Sequence, residues 1–145
     1  MPNEFNIMPA MRVSATGLDA ESRRMEVIAN NIANANTTAA PGGNAYHRKQ
    51  VIFAAKLASE MNKMGQERVA AGVEVKQVAE DTRPDKLVYR PGHPDADKDG
   101  NVRMPDINVL EEMVDMMGAT RAYEANLAAI KTSRAMATQA LGIGR

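Results

Sequence analysis

The sequence predicts an α+β fold: long N- and C-terminal helices packed as a coiled-coil-like pair, with a small antiparallel β insert between them. Three observations lead there. Apolar residues recur at helical spacing toward both ends of the chain. Pro41, Pro84, Pro91, Pro94 and Pro105 lie between those ends, and no proline follows Pro105. Short β-branched runs separated by turn signals occupy the same central stretch. The 145 residues divide accordingly into an N-terminal helical arm (1–36), a small β-rich region with loops (37–107) and a C-terminal helical arm (108–145).

In the first arm Met11, Leu18, Met25 and Ile32 recur at an interval of seven, and Ile7, Ile28 and Ala35 sit three residues after the same phase. That is an approximate heptad stripe. The polar Ser14 and Glu21 share the second position, and Ala15, Ser22 and Ala29 add a small-residue flank. Pro9 is tolerated only in a first helical turn, so the helix is expected to start at residues 7–9. Gly17 inside it costs about 1 kcal/mol against Ala. The run Asn30, Asn31, Asn34, Asn36 lowers helix propensity and marks the end.

In the last arm Asn108 with Glu111 three residues later resembles a capping box. Val109, Met113, Met116, Thr120, Tyr123, Leu127, Ile130, Ala137 and Leu141 then follow at three/four spacing, interrupted by Arg134. Glu111, Glu112 and Asp115 come early and Lys131 and Arg134 late, which complements the helix dipole. Gly142 and Gly144 are the expected stop.

Between the arms, Gln50–Ala55, Val69–Val78 and Lys86–Tyr89 read as strands, two to four in all, divided by Pro41-Gly42-Gly43, Arg83-Pro84-Asp85 and Pro91-Gly92. Ala54–Met64 also reads as a short helix, and the pattern does not decide between the two. Thr, Ala, Ser and Arg dilute both helical seams. An isolated pair of this kind is marginal and gains its remaining stability from neighbouring subunits.

Composition narrows the chemistry. Lys plus Arg number 18 and Asp plus Glu 18, so no basic excess favours nucleic acid. Cysteine is absent, which excludes disulfides, thiol nucleophiles and thiolate metal sites. Aromatics are 3% and Met is 11 of 145, a set suited to helix packing. No apolar run approaches the ~18 residues of a membrane span. Met1–Arg12 lacks the charged start, apolar stretch and small-residue cleavage site of a secretory signal.

Asp95-Ala-Asp97-Lys-Asp99-Gly100-Asn101-Val102 fits the first eight positions of a calcium loop. Position 12 is Asp106 instead of a bidentate Glu, position 9 is Arg103, and Pro91 and Pro94 exclude a regular helix just before it. The plainer reading is an acidic turn. A calcium-responsive helical interaction module using Asp95–Asp106 stands as the alternative function. His47 and His93 are two separate loop histidines and make no zinc set. No Gly-x-Ser-x-Gly turn or phosphate-binding loop is present, and nothing singles out a carboxylate pair, so no enzyme, cofactor or small-molecule substrate is indicated. Arg23-Arg24 and Arg48-Lys49 read as solvated faces or subunit contacts. Asn30, Asn31 and Asn34 cannot share one direction on a helix; they read either as a solvated terminus or as a polar lock on a second surface.

Ala29-Asn-Asn-Ile-Ala-Asn-Ala-Asn-Thr37 resembles the N-terminal signature of bacterial flagellar rod and hook proteins. Leu87-Val-Tyr-Arg-Pro-Gly-His-Pro-Asp-Ala-Asp97, Gly100-Asn-Val102, Val109–Met113, Arg121-Ala-Tyr-Glu-Ala-Asn126, Ala140–Arg145 and Tyr46-His-Arg-Lys49 are similar to proximal-rod members of that family, in the same order. The resemblance implies a structural subunit of the flagellar basal body, exported by the flagellar type III apparatus without a cleaved signal and polymerising in the periplasm. It implies that the two arms pack into an inner tube around the export channel, with the β region outside. Partners would be further copies and other proximal and adjacent rod proteins. On that reading Met11, Leu18, Met25, Ile28 and Ile32 pair with Met113, Met116, Tyr123, Leu127 and Ile130. Asn30, Asn31, Asn34 and Asn36 fix the polar register, and these residues together make the assembly interface.

Overall fold

A computed structural model describes residues 7–40, 42–57 and 70–143. The element order is α1 (Ile7–Asn34), β1 (Lys49–Leu57), β2 (Ala70–Glu80), β3 (Lys86–Tyr89), β4 (Asn101–Met104) and α2 (Val109–Ile143). α1 begins where Pro9 falls in the first turn, where no intrahelical N–H is required. It ends in the asparagine run. Asn34 turns its amide back onto the Asn30 carbonyl at 2.8 Å, and the Thr37 N–H reaches the Asn34 carbonyl at 3.0 Å, so freed carbonyls are satisfied locally.

α2 starts at an Asn108 cap, whose Oδ1 accepts the Leu110 N–H at 3.1 Å. Glu111 and Glu112 fill the first turn and suit the dipole there. The helix then runs through Gly142, well beyond Lys131 and Arg134. Lys131 and Arg134 come late in it but before its last turn, and Gly144 lies outside the described residues.

The helices pack antiparallel as a pair: Gly17 meets Asn126, Arg24 lies near Asp115, and Asn31 bonds Glu112. Their shared core is small. Ala20 and Ala119 are buried there beside Ile28. Gly17 has a reason in this packing, because a Cβ on it would stand 2.9 Å from Asn126 Nδ2.

The insert is two separate two-stranded antiparallel sheets, β1–β2 and β3–β4. Both outer β1–β2 boundaries run slightly past expectation. Ala54–Leu57 are strand, which excludes the helical alternative there, and residues 58–64 and Val69 lie outside the described residues. The ladder slips twice, between Ile52 and Phe53 and between Lys56 and Leu57, so β2 carries an extra residue at each slip. β4 lies outside the three segments that the sequence pattern marks as strands. Its Val102 is fully buried, its Met104 is buried, and its Arg103 carbonyl accepts the Ala39 N–H at 3.1 Å.

The long hairpin is pinned along α1 at two points. At one, Asn31 holds the backbone of Lys49. At the other, Thr16 Oγ1 accepts the Val73 N–H at 3.1 Å, and Gly72 approaches so closely at φ +140° that a Cβ would fall 2.2 Å from that oxygen. Residues 16 and 31 are separated by about 22 Å of helix. Lys49 and Lys56, the latter opposite Gly72, are separated by about 23 Å of strand. The two spans match, so one helix serves as a template for one strand. α1 is the central element. Among the described residues α2 packs along α1 and is joined near its start by Arg48, just before β1.

Candidate functional site

The site grows from the end of α1. Asn31 is 1% exposed and its amide is completely used. Nδ2 donates to the Lys49 carbonyl at 2.8 Å and to Glu112 Oε2 at 2.9 Å; Oδ1 accepts the Lys49 N–H at 2.9 Å and the Tyr46 hydroxyl at 3.0 Å. Two acceptors face the nitrogen and two donors face the oxygen, so only one amide orientation is possible. Asn31 thereby pairs with residue 49 as a strand neighbour would, and joins α1, β1 and α2 at one point.

Glu112, also 1% exposed, takes Arg48 Nε on its other oxygen. Arg48 extends to Asp115 at 3.4 Å, one turn along α2, and Arg24 approaches Asp115 from α1 at 3.8 Å. Burial pushes the Tyr46 phenol above its usual range, and the Glu112 carboxylate adds to this against the opposing Lys49 ammonium. That ammonium stands 5.6 Å from the Tyr46 ring centroid. A buried ion pair of this kind gives little net stability but strongly disfavours any arrangement that breaks it.

The asparagines divide by role. Asn31 is the lock, Asn34 closes the helix, and Asn30 and Asn36 are exposed. Among the apolar positions Ile28 is buried, and Met11, Leu18, Met25, Ile32, Met116, Tyr123, Leu127 and Ile130 are half-buried. Met113 departs from the expected pairing. It is 50% exposed on the outer face of α2, while Glu112 takes the inward position. Periodicity assigns Met inward and Glu outward; the reverse holds because Arg48 and Asn31 wait inside for the carboxylate. Glu112, Tyr46, Gly17, Asn126, Thr16 and Gly72 carry the packing without having been singled out for it. The signal lay in Tyr46-His-Arg-Lys49 and Arg121–Asn126, which stand out as motifs but do not reveal their partners.

The acidic loop is occupied by its own backbone. Asp97 Oδ1 accepts the Asp99 and Asn101 N–H groups at 2.9 and 2.8 Å, and Asp95 accepts the Thr38 hydroxyl at 2.6 Å. Asp106 pairs with Arg83 at 3.1 Å. Among the described residues no group of three or more His, Asp or Glu converges on a metal position, and no helix is long and apolar enough to cross a membrane. Nothing favours the calcium module.

A pair of long terminal helices locked at one end and flanked by a small β insert is the arrangement in which two family models find their matches. One, described as flagella basal body rod protein, covers residues 11–40; the other, described as flagellar basal body rod FlgEFG protein C-terminal, covers residues 98–143. Relatives narrow the class. The flagellar basal-body rod protein FlgC of Borreliella burgdorferi is 40% identical over 154 residues, covering 96% of this chain and 98% of its own. The protein of that name from Salmonella typhimurium is 40% identical over 133 residues, 92% and 94% of the two chains. That from Bacillus subtilis is 38% identical over 147 residues, 94% and 97%. The chain belongs to the FlgC family of flagellar basal-body rod proteins.

Proposed function

We propose that this chain is a structural subunit of the flagellar proximal rod, polymerising through its terminal helices into part of the drive shaft that transmits torque and encloses the export channel. Its partners are further copies and the other proximal and adjacent rod proteins. It reaches the periplasmic rod through the flagellar type III apparatus without a cleaved signal.

The observation that carries the reading is surface left uncovered. Leu110, Met113, Val114 and Met117 are 70%, 50%, 57% and 53% exposed on the face of α2 turned away from α1. A contiguous exposed apolar face of this kind marks a surface that another molecule covers. Burial of Asn31 and Glu112, with no catalytic constellation beside them, suits a strut.

The test is assembly in cells. Ile28→Asp puts a carboxylate into the buried seam and is expected to abolish motility and to leave isolated basal bodies without a complete rod. Wild-type swimming in that variant overturns the role of the seam.

A further inference from the structure

Resting on that subunit reading, we propose that the exposed stripe of α2 in one copy seats in the pocket between α1, β1 and the start of α2 in the next copy. The stripe is Leu110, Met113, Val114 and Met117, spaced i, i+3, i+4, i+7, so the four side chains form one continuous ridge. At about 100° per residue it lies on the side of the helix opposite Glu112, Met116 and Ala119, which face α1.

The pocket encloses 370 Å³, room for several aliphatic side chains. Its lining mixes the apolar Val27, Ile28, Val51 and Phe53 with the cations Arg24 and Lys49, the latter paired with Glu80 at 3.4 Å. Of the two acids that line it, Glu112 is buried, and both Glu112 and Asp115 are engaged by Arg48. Arg24 holds its own acids only at 3.8 Å. The ridge carries the complementary charge: Glu111, exposed beside Leu110, makes no ion pair among the described residues. An apolar ridge with an acid beside it therefore meets a pocket that offers four apolar side chains and the loosely paired guanidinium of Arg24.

Ridge and pocket lie on different sides of the same helix, so a molecule cannot fill its own pocket. Two copies meeting this way use unlike surfaces, which makes the contact heterologous: each copy keeps one ridge and one pocket free, and the assembly continues instead of closing as a dimer. The partner surface is a second copy of this chain.

The chain has no cysteine, so cross-linking reports one pair at a time. Val114→Cys and Gln50→Cys, one on the ridge and one lining the pocket, are combined in one full-length chain expressed in place of the wild type. Mild oxidation of isolated basal bodies is expected to give a ladder of dimers and higher species with the double variant and none with either single variant. Glu111→Arg is expected to weaken the ladder and Arg24→Glu to restore it in that background. A dimer from Val114→Cys alone overturns the proposal, since it means ridge meets ridge. No cross-link in basal bodies that contain the protein also overturns it while leaving the subunit reading intact. Met113→Glu with Met117→Glu is the second measurement. The purified variant is expected to keep the wild-type melting transition and to lose incorporation into the rod; retained incorporation refutes the contact.

Discussion

Asn31→Asp exchanges one NH₂ group for one oxygen and so tests the polar lock with almost no change in shape. The wild-type nitrogen lies 2.8 Å from the Lys49 carbonyl and 2.9 Å from Glu112 Oε2. An ionised carboxyl there sets oxygen against oxygen at both. At an effective dielectric constant of about 20, two unit charges 2.9 Å apart repel by about 6 kcal/mol. Taking up a proton is cheaper. Holding a carboxyl of ordinary pKa near 3.9 protonated at pH 7 costs about 4 kcal/mol. The single proton then restores the bond to Glu112 but not the one to Lys49, a further loss of about 1 kcal/mol.

The expected destabilisation is therefore about 5 kcal/mol at pH 7, a large part of a typical domain's margin. The introduced group has a folded pKa above its unfolded one, so the folded state binds the extra proton. Its penalty is fully present above the folded pKa and declines as pH falls toward the unfolded pKa. Near pH 4 only the loss of about 1 kcal/mol remains. Urea unfolding of both purified proteins, followed by helix circular dichroism at pH 7 and pH 4, measures the gap, and taking the difference cancels the groups they share. A variant with the wild-type midpoint at pH 7, or a gap that does not narrow in acid, refutes the account of the lock.

Other consequences follow from single contacts. Gly17→Ala gains about 1 kcal/mol of helix propensity but forces its Cβ against Asn126, so it is expected to be neutral or harmful alone and to stabilise once Asn126→Ala is present; a double-mutant cycle with no coupling contradicts this close approach. Gly72→Ala combines a left-handed φ of +140° with a Cβ 2.2 Å from Thr16 Oγ1, and is expected to cost about 3 kcal/mol or more, only partly recovered by Thr16→Ala. Full recovery in thermal melts shows that the backbone is unstrained. Asp81 is held below the usual carboxylate range by hydrogen bonds from the Arg83 side chain and backbone. Its contribution is present above the unfolded pKa and is lost as pH falls through the depressed folded value. NMR titration is expected to show the Asp81 carboxyl moving up in Arg83→Ala, and an unmoved titration removes the pair as the cause.

Both helices were legible because prolines and seven-residue spacing are local signals. The β1–β2 hairpin was legible from β-branched runs. β4 was not, since Asn101-Val-Arg-Met104 is short and its only strong feature, the buried Val102, shows itself through a partner strand and the loop at Ala39. The inward phase of α2 was misread at Met113 for a related reason. Glu112 turns inward because Asn31 and Arg48, 81 and 64 residues away in sequence, supply its bonds. The asparagine run suggested a lock but could not say which member forms it. That choice is made by residue 49, whose backbone arrives only when the hairpin aligns along α1. The two glycines gave no sign of their role, because a close approach belongs to the pair and not to the glycine.

A seam whose most buried positions are mostly alanine has a mechanical weakness. Small, similar side chains offer little resistance to sliding, and a helix moved by one turn of about 5.4 Å meets nearly the same surface. Resistance has to come from contacts that do not repeat. This chain places one near each end of the overlap: Asn31 with Glu112, and Gly17 with Asn126, separated by about 21 Å along α1. Sliding strands Glu112 and the backbone of Lys49 without partners at one end, where an unpaired buried charge costs about 3–5 kcal/mol. At the other it brings Asn126 against a residue that has a Cβ. Because Asn31 and Thr16 also hold the hairpin, any shift of α1 against α2 must drag or break the insert as well. The apolar seam brings the two helices together, and the polar and steric pairs fix how far along each other they stand.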